Sequence, residues 1–403
     1  MALITQLGFG IVAPALPAYA VSLGVDTAAV GWVVTIYGLA RLVTNYPVGV
    51  WAERIGRRPL LIGGGLVLAL GSALCGLAPS FGWLLVWRFV AGAGAAAVIT
   101  MAQIILADLS TPANRGRVMS IYMGFFLIGV STGPVPGGYL ADRYGLAAPL
   151  FGYAALAALG AMVSALFVPE TRPAGQTPAR QGAAADGAGS NPPAPGKGQG
   201  GKSSPRSLLR QPAFILVSLV TFAQFFTRTG AVFAVIPLKG SQELGLSVAQ
   251  VGAALSLIGL INVAALYPAG YVADRYGRKP PIVIATVVCG LAMALFAMSR
   301  DYRSYLLAAA IWGLGSGVGG PLPAAYAADL ASGTSYGTTM GMYRTLADAG
   351  YVLGPVVLSS LAAGAGFGVS LGFCALLFGV GGALFAWRAP ETRRPPRDLT
   401  ALG

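Results

Sequence analysis

The segment Gly270–Pro280 reads GYVADRYGRKP and forms a short, charged interruption between two long apolar runs. A related segment, GVWAERIGRRP at Gly49–Pro59, lies 221 positions earlier in the chain. In both segments a glycine permits a tight reversal, and a proline suits the first turn of the following helix. The two segments, called the twin loops below, therefore predict two copies of one structural unit.

The spacing of 221 positions also relates residues far outside the twin loops. Tyr46-Pro47 corresponds to Tyr267-Pro268, and the sequence PETR at 169–172 recurs at 390–393. A unit of roughly 170 residues is therefore written twice, which predicts two pseudo-symmetric halves. We place the halves at residues 1–172 and 212–393, with a flexible cytoplasmic linker at 173–211 and a cytoplasmic tail at 394–403. The linker is rich in glycine, alanine, proline and serine, which is typical of a disordered tether.

The composition indicates a membrane protein. Apolar residues make up 56% of the chain and charged residues only 10%, with a mean hydropathy of +0.71, whereas soluble domains carry about 25% charged residues. Six apolar runs in each half have about the 20 residues that a helix needs to cross a bilayer. They are too apolar for barrel strands. We therefore predict an all-α integral membrane protein with twelve transmembrane helices in two pseudo-symmetric six-helix bundles.

Lysine and arginine are distributed unevenly among the predicted loops. Eighteen of the 26 fall on the side of the two termini, four on the opposite side and four inside apolar runs. Because positively charged loops are retained in the cytoplasm, we predict a multi-pass protein of the cell membrane with both termini cytoplasmic. Pro14 and Pro17 interrupt the first run, which favours a retained first helix over a cleaved signal peptide.

The residue types argue against several other functions. The net charge of +13 is explained by topology signals in contact with the lipid bilayer, so no nucleic-acid partner is expected. The chain has no histidine, and its three cysteines are scattered through apolar runs, so we predict no metal site and no cofactor. The phosphate-binding pattern GxxxxGK[ST] is absent, which excludes direct drive by ATP. The sequence contains no nucleophile–base pair that would indicate an enzyme. We expect a monomer.

Five ionisable residues lie inside the predicted transmembrane runs: Arg41, Arg88, Arg228, Arg344 and Asp348. Charge is costly in a bilayer, so such residues are functional candidates. At the related positions of the other half stand asparagine, alanine, leucine, methionine and leucine, respectively. A residue needed only to hold a half together should recur, and this asymmetry therefore favours functional roles.

Arg344 and Asp348 are four residues apart, so they share one face of the eleventh predicted helix, and Tyr351 continues that face. Two interpretations remain open. The pair either neutralises itself for insertion into the bilayer, or it acts as a proton switch. In the second case a substrate that competes for Arg344 frees Asp348 to take up a proton.

A substrate cavity is expected between the halves, where polar side chains can bind a small molecule. The candidate lining residues are Arg41, Arg228, Gln103, Gln224, Asn45, Asn262 and Tyr351. The four amides could equally serve as hydrogen bonds between helices.

Two further stretches complete a pattern with the twin loops: LVWRFVAGAGAAA at Leu85–Ala97 and GVSTGPVPGG at Gly129–Gly138. The motif of the twin loops and these two stretches together resemble the motifs of the major facilitator superfamily. The resemblance covers essentially the whole chain apart from the linker. The first stretch resembles the fourth-helix motif with its buried arginine, and the second resembles the fifth-helix motif associated with drug:proton antiporters. Glu53 departs from the family pattern, which prefers aspartate there, whereas Asp274 follows it.

The resemblance implies roles for particular residues. Arg88 is expected to take part in proton coupling together with Asp348 and Arg344, unless it only binds backbone carbonyls of a neighbouring helix. Glycine and proline residues are expected to allow close packing and bending of the fifth and eleventh helices: Gly129, Gly133, Pro134, Gly350, Gly354 and Pro355.

Charged residues at the cytoplasmic ends of the helices resemble gate latches. We expect Glu53 to act with Arg57, and Asp274 with Arg278. Their partners are predicted to be Asp108 and Asp329, at the inner ends of the fourth and tenth helices.

The sequence therefore predicts a proton-coupled secondary transporter that works by alternating access and exports small organic molecules. The balance of deep charges favours anionic, zwitterionic or neutral substrates over lipophilic cations. The nearest alternative is a symporter or uniporter for a sugar or organic acid. A membrane ligand sensor that transports nothing is another, although the intact twin loops argue against it.

Overall fold

The computed structural model describes residues 2–111, 114–171, 211–330 and 336–392. Within these ranges, eleven helices are long and apolar enough to span a bilayer. The segments Leu3–Val12 and Leu16–Ser22 meet at a bend of 46° and together make a twelfth candidate span. The predicted all-helical fold with twelve spans is confirmed. The predicted tail, and the linker apart from Gln211, lie outside the described residues.

The spans are numbered α1 to α12 in chain order. In the first half they are α1 (Ala2–Val12 and Leu16–Ser22), α2 (Thr27–Ile55), α3 (Arg57–Gly76), α4 (Phe81–Leu109), α5 (Arg115–Thr132 and Pro134–Tyr144) and α6 (Ala148–Phe167). In the second half they are α7 (Pro212–Glu243), α8 (Val248–Tyr276), α9 (Lys279–Met298), α10 (Tyr302–Gly319 and Leu322–Leu330), α11 (Tyr336–Ala365) and α12 (Phe367–Arg388).

Small residues let neighbouring helices approach closely, as is usual where lipid provides no hydrophobic driving force. A Cβ atom built on Gly71 of α3 would lie 2.7 Å from the backbone nitrogen of Ala91 in α4. In the second half, a Cβ atom on Gly315 of α10 would lie 3.0 Å from the backbone nitrogen of Cys289 in α9. The glycine-rich composition thus allows the tight packing inside each half.

Two glutamates from the repeated PETR sequences cap the helices that follow the twin loops. The Glu170 carboxylate accepts hydrogen bonds from the backbone N–H groups of Arg57 (2.9 Å) and Arg58 (3.1 Å) at the start of α3. Glu391 does the same for Arg278 and Lys279 at the start of α9, both at 2.9 Å. A carboxylate at a helix N-terminus satisfies unpaired donors and complements the helix dipole.

The two halves meet near one end of the helices, which we call the distal face; the terminal face is the opposite end, where α1 begins and α12 ends. Between α2 and α11, the Thr35 hydroxyl donates to the Val352 carbonyl at 2.8 Å, and Gly31 packs against Pro355. Both contacts lie in the distal halves of these helices.

The helices α5 and α8 also meet in their distal halves. The Val135 N–H donates to the Ser256 hydroxyl at 3.2 Å, and Gly252 packs against Pro134. Toward the terminal face, Leu42 of α2, which lines the space between the halves, is 50% exposed. The space between the halves is therefore closed at the distal face and open toward the terminal face.

Candidate functional site

A cavity of about 280 Å³ lies between the halves. Ligand pockets for small molecules start near this size. Residues of α1, α2, α4, α5, α6, α7 and α11 line it, so both halves contribute. Its charged lining residues within the described part of the chain are Arg41, Arg228, Arg344 and Asp348.

Asp348, Arg344 and Tyr351 line this cavity together, from one face of α11. Asp348 is half-buried, and no ion pair forms between it and Arg344 in the described structure. Arg344 and Arg41 are the cations whose charge acts on the Asp348 carboxylate, and Arg41 belongs to the other half. Asp348, the one acid among the described lining residues, therefore shares the cavity with cations of both halves.

Arg41 lies among tyrosine side chains. Its charge interacts with the hydroxyl groups of Tyr37, Tyr153 and Tyr351, and the first two of these hydroxyls are 3.3 Å apart. The Nε atom of Arg41 is buried and has no hydrogen-bond partner among the described residues. This guanidinium thus keeps an unused donor beside the cavity.

Arg228 begins a π-helical stretch, Arg228–Val235, within α7. Such wide turns are rare and occur frequently at functional sites. The side chain of Arg228 is exposed and lines the cavity. The next residue, Thr229, donates to the Tyr351 carbonyl at 3.0 Å, and Gly230 packs against Gly354. The π-helical stretch is therefore held against the same part of α11 that carries Tyr351.

Arg88 occupies a different position from the other arginines. It is only 3% exposed, it lies 4.4 Å above the ring of Tyr37, and its Nε atom donates to the Val33 carbonyl at 3.5 Å. It lines a smaller space next to the central cavity, and Tyr37 and Tyr351 line both. These contacts match a packing role between α4 and α2, and a part in proton coupling stays a prediction.

The four predicted amides are placed differently from one another. Asn45 lines the cavity and accepts a hydrogen bond from Thr100 at 3.2 Å. Gln103 of α4 does not line it. Gln224 is buried and donates to the Cys289 sulfur at 3.6 Å, and Asn262 donates to Ser316 of α10 at 3.0 Å. Gln224 and Asn262 therefore do not line the cavity as predicted. Each forms a hydrogen bond between helices, because its amide faces a neighbour inside its own half.

The charged residues near the twin loops form ion pairs inside each half. The Nε atom of Arg57 is 3.0 Å from Asp108, and that of Arg278 is 2.9 Å from Asp329. Thr171 and Thr392 donate to the same two carboxylates at 2.9 and 3.1 Å. The expected pair of Glu53 with Arg57 is absent from the described structure, where Glu53 is exposed. Of Asp274 only the backbone, within α8, is described.

The predicted packing residues lie at helix contacts. A Cβ atom built on Gly129 or Gly133 of α5 would lie 2.7 or 2.5 Å from a carbonyl oxygen of α1, and one on Gly350 of α11 would lie 2.6 Å from a carbonyl oxygen of α7. Gly354 packs against Phe226 of α7. Pro134 follows the break in α5, and Pro355 lies within α11.

Several other residues line the cavity without having been predicted from the sequence, among them Tyr37, Tyr153, Phe9 and Phe233. Tyr37 could have been found, since it precedes Arg41 by four residues and shares its helix face. The rings of Phe9 and Phe233 meet edge to face across the two halves, with centroids 5.6 Å apart. No spacing in the sequence relates these two positions.

Two related helical bundles around a polar cavity that is closed at one end are the architecture of secondary transporters. The chain belongs to the Major Facilitator Superfamily, whose family model matches residues 1–241 and again residues 217–402. The resemblance seen in the motifs is thereby confirmed.

Individual relatives match about two fifths of the chain. The inner membrane transport protein YajR of Escherichia coli is 34% identical over 167 residues, which cover 41% of this chain and 36% of the relative. Multidrug resistance protein 2 of Bacillus subtilis is 26% identical over 165 residues, 41% of each chain. These alignments span less than half the length of the relatives.

Solved structures match over nearly the whole length. The human organic anion transporter MFSD10 (TETRAN) is 20% identical with a TM-score of 0.61, covering 95% of this chain and 96% of that one. A D-xylose-proton symporter is 18% identical with a TM-score of 0.71, covering 97% of both chains. At such identities the likeness concerns the fold alone.

Proposed function

We propose that the protein is a proton-coupled secondary transporter that moves small organic molecules by alternating access, and that it exports them in exchange for protons. The observation that carries the proposal is Asp348, the one carboxylate among the described residues that line the cavity. A carboxylate is costly in its charged form within a bilayer, so it is suited to take up a proton on one side and release it on the other.

Export is supported by two observations. The sequence at Gly129–Gly138 resembles the antiporter motif, and relatives include proteins named for multidrug resistance. The positive charge of the loops supports a cytoplasmic terminal face and cytoplasmic termini. With that orientation the cavity is open to the cytoplasm, which is the state in which an exporter binds its substrate.

A second candidate, co-transport of an organic acid with a proton, is favoured by the arginines that act on Asp348. An anion that engages Arg41 or Arg344 reduces their attraction for the carboxylate and thereby favours its protonated form. By reciprocity, protonation of Asp348 then strengthens binding of the anion, which suits co-transport. The two candidates share Asp348 and differ in the direction of coupled movement.

The test uses purified protein in vesicles with an acidic lumen and a substrate found by a thermal-shift ligand screen. Exchange for protons accumulates the substrate in the acidic compartment, whereas co-transport depletes it from there. In either mode, Asp348→Asn should reduce uphill movement to the level of protein-free vesicles. Exchange of substrate for substrate should persist, because it needs no net proton cycle.

A double-mutant cycle distinguishes two roles of Asp348: carrying the coupled proton, or only neutralising the charge of Arg344. In the second case Asp348→Asn should insert poorly, and Arg344→Gln on top of it should restore both insertion and uphill transport. Accumulation driven by a pH gradient in Asp348→Asn would exclude Asp348 as the proton carrier.

A further inference from the structure

We infer that the substrate of the central cavity is an organic anion, bound by the guanidinium groups of Arg41, Arg228 and Arg344 and enclosed by aromatic rings. The inference rests on the proposed function in one respect, that this cavity is the transport site. It does not depend on the direction of proton coupling.

The three guanidinium groups have donors to spare. Arg228 and Arg344 are exposed and line the cavity, and neither forms a hydrogen bond or ion pair with any described residue. The Nε atom of Arg41 is buried without a partner in the same part of the structure. Guanidinium groups bind carboxylates through paired, charge-assisted hydrogen bonds, so these free donors suit an anionic ligand.

The charge of the cavity is unbalanced. Three arginines and one aspartate are its charged lining residues in the described part of the chain, which leaves two positive charges uncompensated. Uncompensated charge inside a bilayer is costly. A bound anion offsets this cost, whereas a bound cation increases it.

The fold itself does not require these arginines. The related positions in the other half are Asn262, Leu7 and Met123, and those helices occupy the same places in their bundle without a cation. The arginines come from α2, α7 and α11, and yet they line one cavity. Their convergence is therefore explained by a ligand and not by the packing of one half.

The remaining lining selects an organic ligand over an inorganic anion. Phe9, Phe233, Tyr37 and Tyr351 line the cavity together with the arginines. Tyrosine and phenylalanine rings favour an apolar or aromatic body through contact area and stacking. A volume of about 280 Å³ fits a small molecule. The chemical class is thus a small aromatic carboxylate or a similar amphipathic anion.

The test compares matched triplets of ligands on several aromatic scaffolds, for example 2-naphthoate, 2-naphthamide and 2-naphthylmethylamine. Binding to the purified full chain in lipid nanodiscs is measured by calorimetry. A hydrogen bond to a charged group is stronger than one between neutral groups, so the carboxylate should bind at least about tenfold tighter than its amide and amine. Arg228→Gln and Arg344→Gln should each weaken carboxylate binding about tenfold and leave amide binding unchanged.

Two controls keep the result interpretable. Arg303→Gln removes the same charge from an exposed residue of α10 outside the cavity and should not change carboxylate binding. Arg228→Lys keeps the charge but loses the paired donors, so it tests the site even if the glutamine variant fails to fold. The inference is overturned if no carboxylate binds, if amides or amines bind as tightly, or if Arg303→Gln has the same effect as the cavity variants.

The outcome separates this inference from the proposed function. Uphill transport of a neutral or cationic compound that still requires Asp348 would refute the anion and preserve proton coupling. If carboxylates bind in an arginine-dependent manner but Asp348→Asn still accumulates substrate in response to a pH gradient, the anion inference stands and proton coupling through Asp348 is refuted. Tighter carboxylate binding at pH 6 than at pH 8 would favour co-transport over exchange, provided that Asp348→Asn removes the difference.

Discussion

Gly56 and Gly277 form the reversals of the twin loops for two separate physical reasons. Their backbone angles, φ 107° and ψ 163° for Gly56 and φ 91° and ψ 174° for Gly277, fall in a region that is essentially restricted to glycine. A Cβ atom at either position would also lie 2.6 Å from a carboxylate oxygen of Glu170 or Glu391. The glycine therefore allows both the turn and the cap of the following helix.

Gly56→Ala and Gly277→Ala should each destabilise the protein by about 1–3 kcal/mol, the cost of holding another residue in this backbone region. The measurement is the apparent midpoint of thermal unfolding in detergent. Gly49→Ala is the matched control, because Gly49 lies within α2 and a Cβ atom added there would have no neighbour within 4 Å among the described residues outside the backbone of its own helix. Equal midpoints for Gly56→Ala and Gly49→Ala would show that the loop tolerates a side chain.

Some residues of the site could be predicted from the sequence and others could not. Charges in apolar runs are conspicuous, and Arg41, Arg228, Arg344 and Asp348 all line the cavity. Amides are not diagnostic, because an amide inside a bundle bonds whichever neighbour it faces, as Gln224 does with Cys289. Tyr153 was missed since only the folded chain brings α6 beside α2.

At the scale of elements, the N-terminus of α8 is bound by both halves. Its own N-cap, Ser247, accepts from the Gln250 N–H at 3.2 Å. Asp142, at the end of α5 in the other half, accepts from the Val248 and Ala249 N–H groups, both at 3.0 Å. The related position in the second half is Ala363, so this contact has no counterpart between α11 and α2. Opening of the distal face must break it.

Asp142→Ala should therefore shift the equilibrium toward the distal-open state. A carboxylate at a helix N-terminus contributes up to about 1 kcal/mol, which corresponds to about a fivefold change in population. Ser256→Cys, between α5 and α8, reports the opening through its rate of labelling by a membrane-impermeant thiol reagent. The native cysteines are buried, so the background is low.

Asp301→Ala is the control for this experiment. Asp301 lies on the same face and caps its own helix α10 by accepting from the Ser304 N–H at 2.8 Å. Its loss should lower stability without changing the labelling of Ser256→Cys. If Asp142→Ala labels no faster than Asp301→Ala, the contact between the halves does not bias the two states.

The helices themselves were largely predictable, because the length and hydropathy of a transmembrane span follow directly from a run of apolar residues in the sequence. The local departures were not. The bend of 46° in α1 occurs around Pro14, which the sequence shows as an interruption without giving its angle. The π-helical stretch from Arg228 changes the hydrogen-bond pattern of α7 but not its apolar character. Hydropathy therefore cannot reveal it.

At the scale of the whole molecule, the repeat predicts two related halves, and an ion pair of the same type occurs at corresponding positions of each. Arg57–Asp108 and Arg278–Asp329 have nearly equal lengths, 3.0 and 2.9 Å. The sequence does not predict which end of the cavity is open, since a transporter must populate more than one arrangement of the same contacts. The structure describes the arrangement closed at the distal face.

In this state the loop acid Glu53 is exposed, and Arg57 is bound to Asp108 within its own half. We therefore propose that Glu53 forms a contact between the halves when the terminal face closes, and by the pattern of the twin loops we propose the same role for Asp274. Glu53→Gln or Asp274→Asn should favour the terminal-open state. Labelling of Leu42→Cys, a half-exposed cavity position on the terminal side, should rise and turnover should slow.

Asp108→Asn distinguishes a gate from a structural pair. It weakens the contacts with Arg57 and Thr171 inside one half, so it should lower thermal stability by about 1–2 kcal/mol. Because both contacts lie within one half, which should move as a unit, labelling of Leu42→Cys should not change. The loop-acid variants should show the opposite pattern, with altered labelling and an unchanged midpoint of unfolding. Unchanged labelling and turnover in Glu53→Gln and Asp274→Asn would reduce the loop acids to determinants of membrane topology.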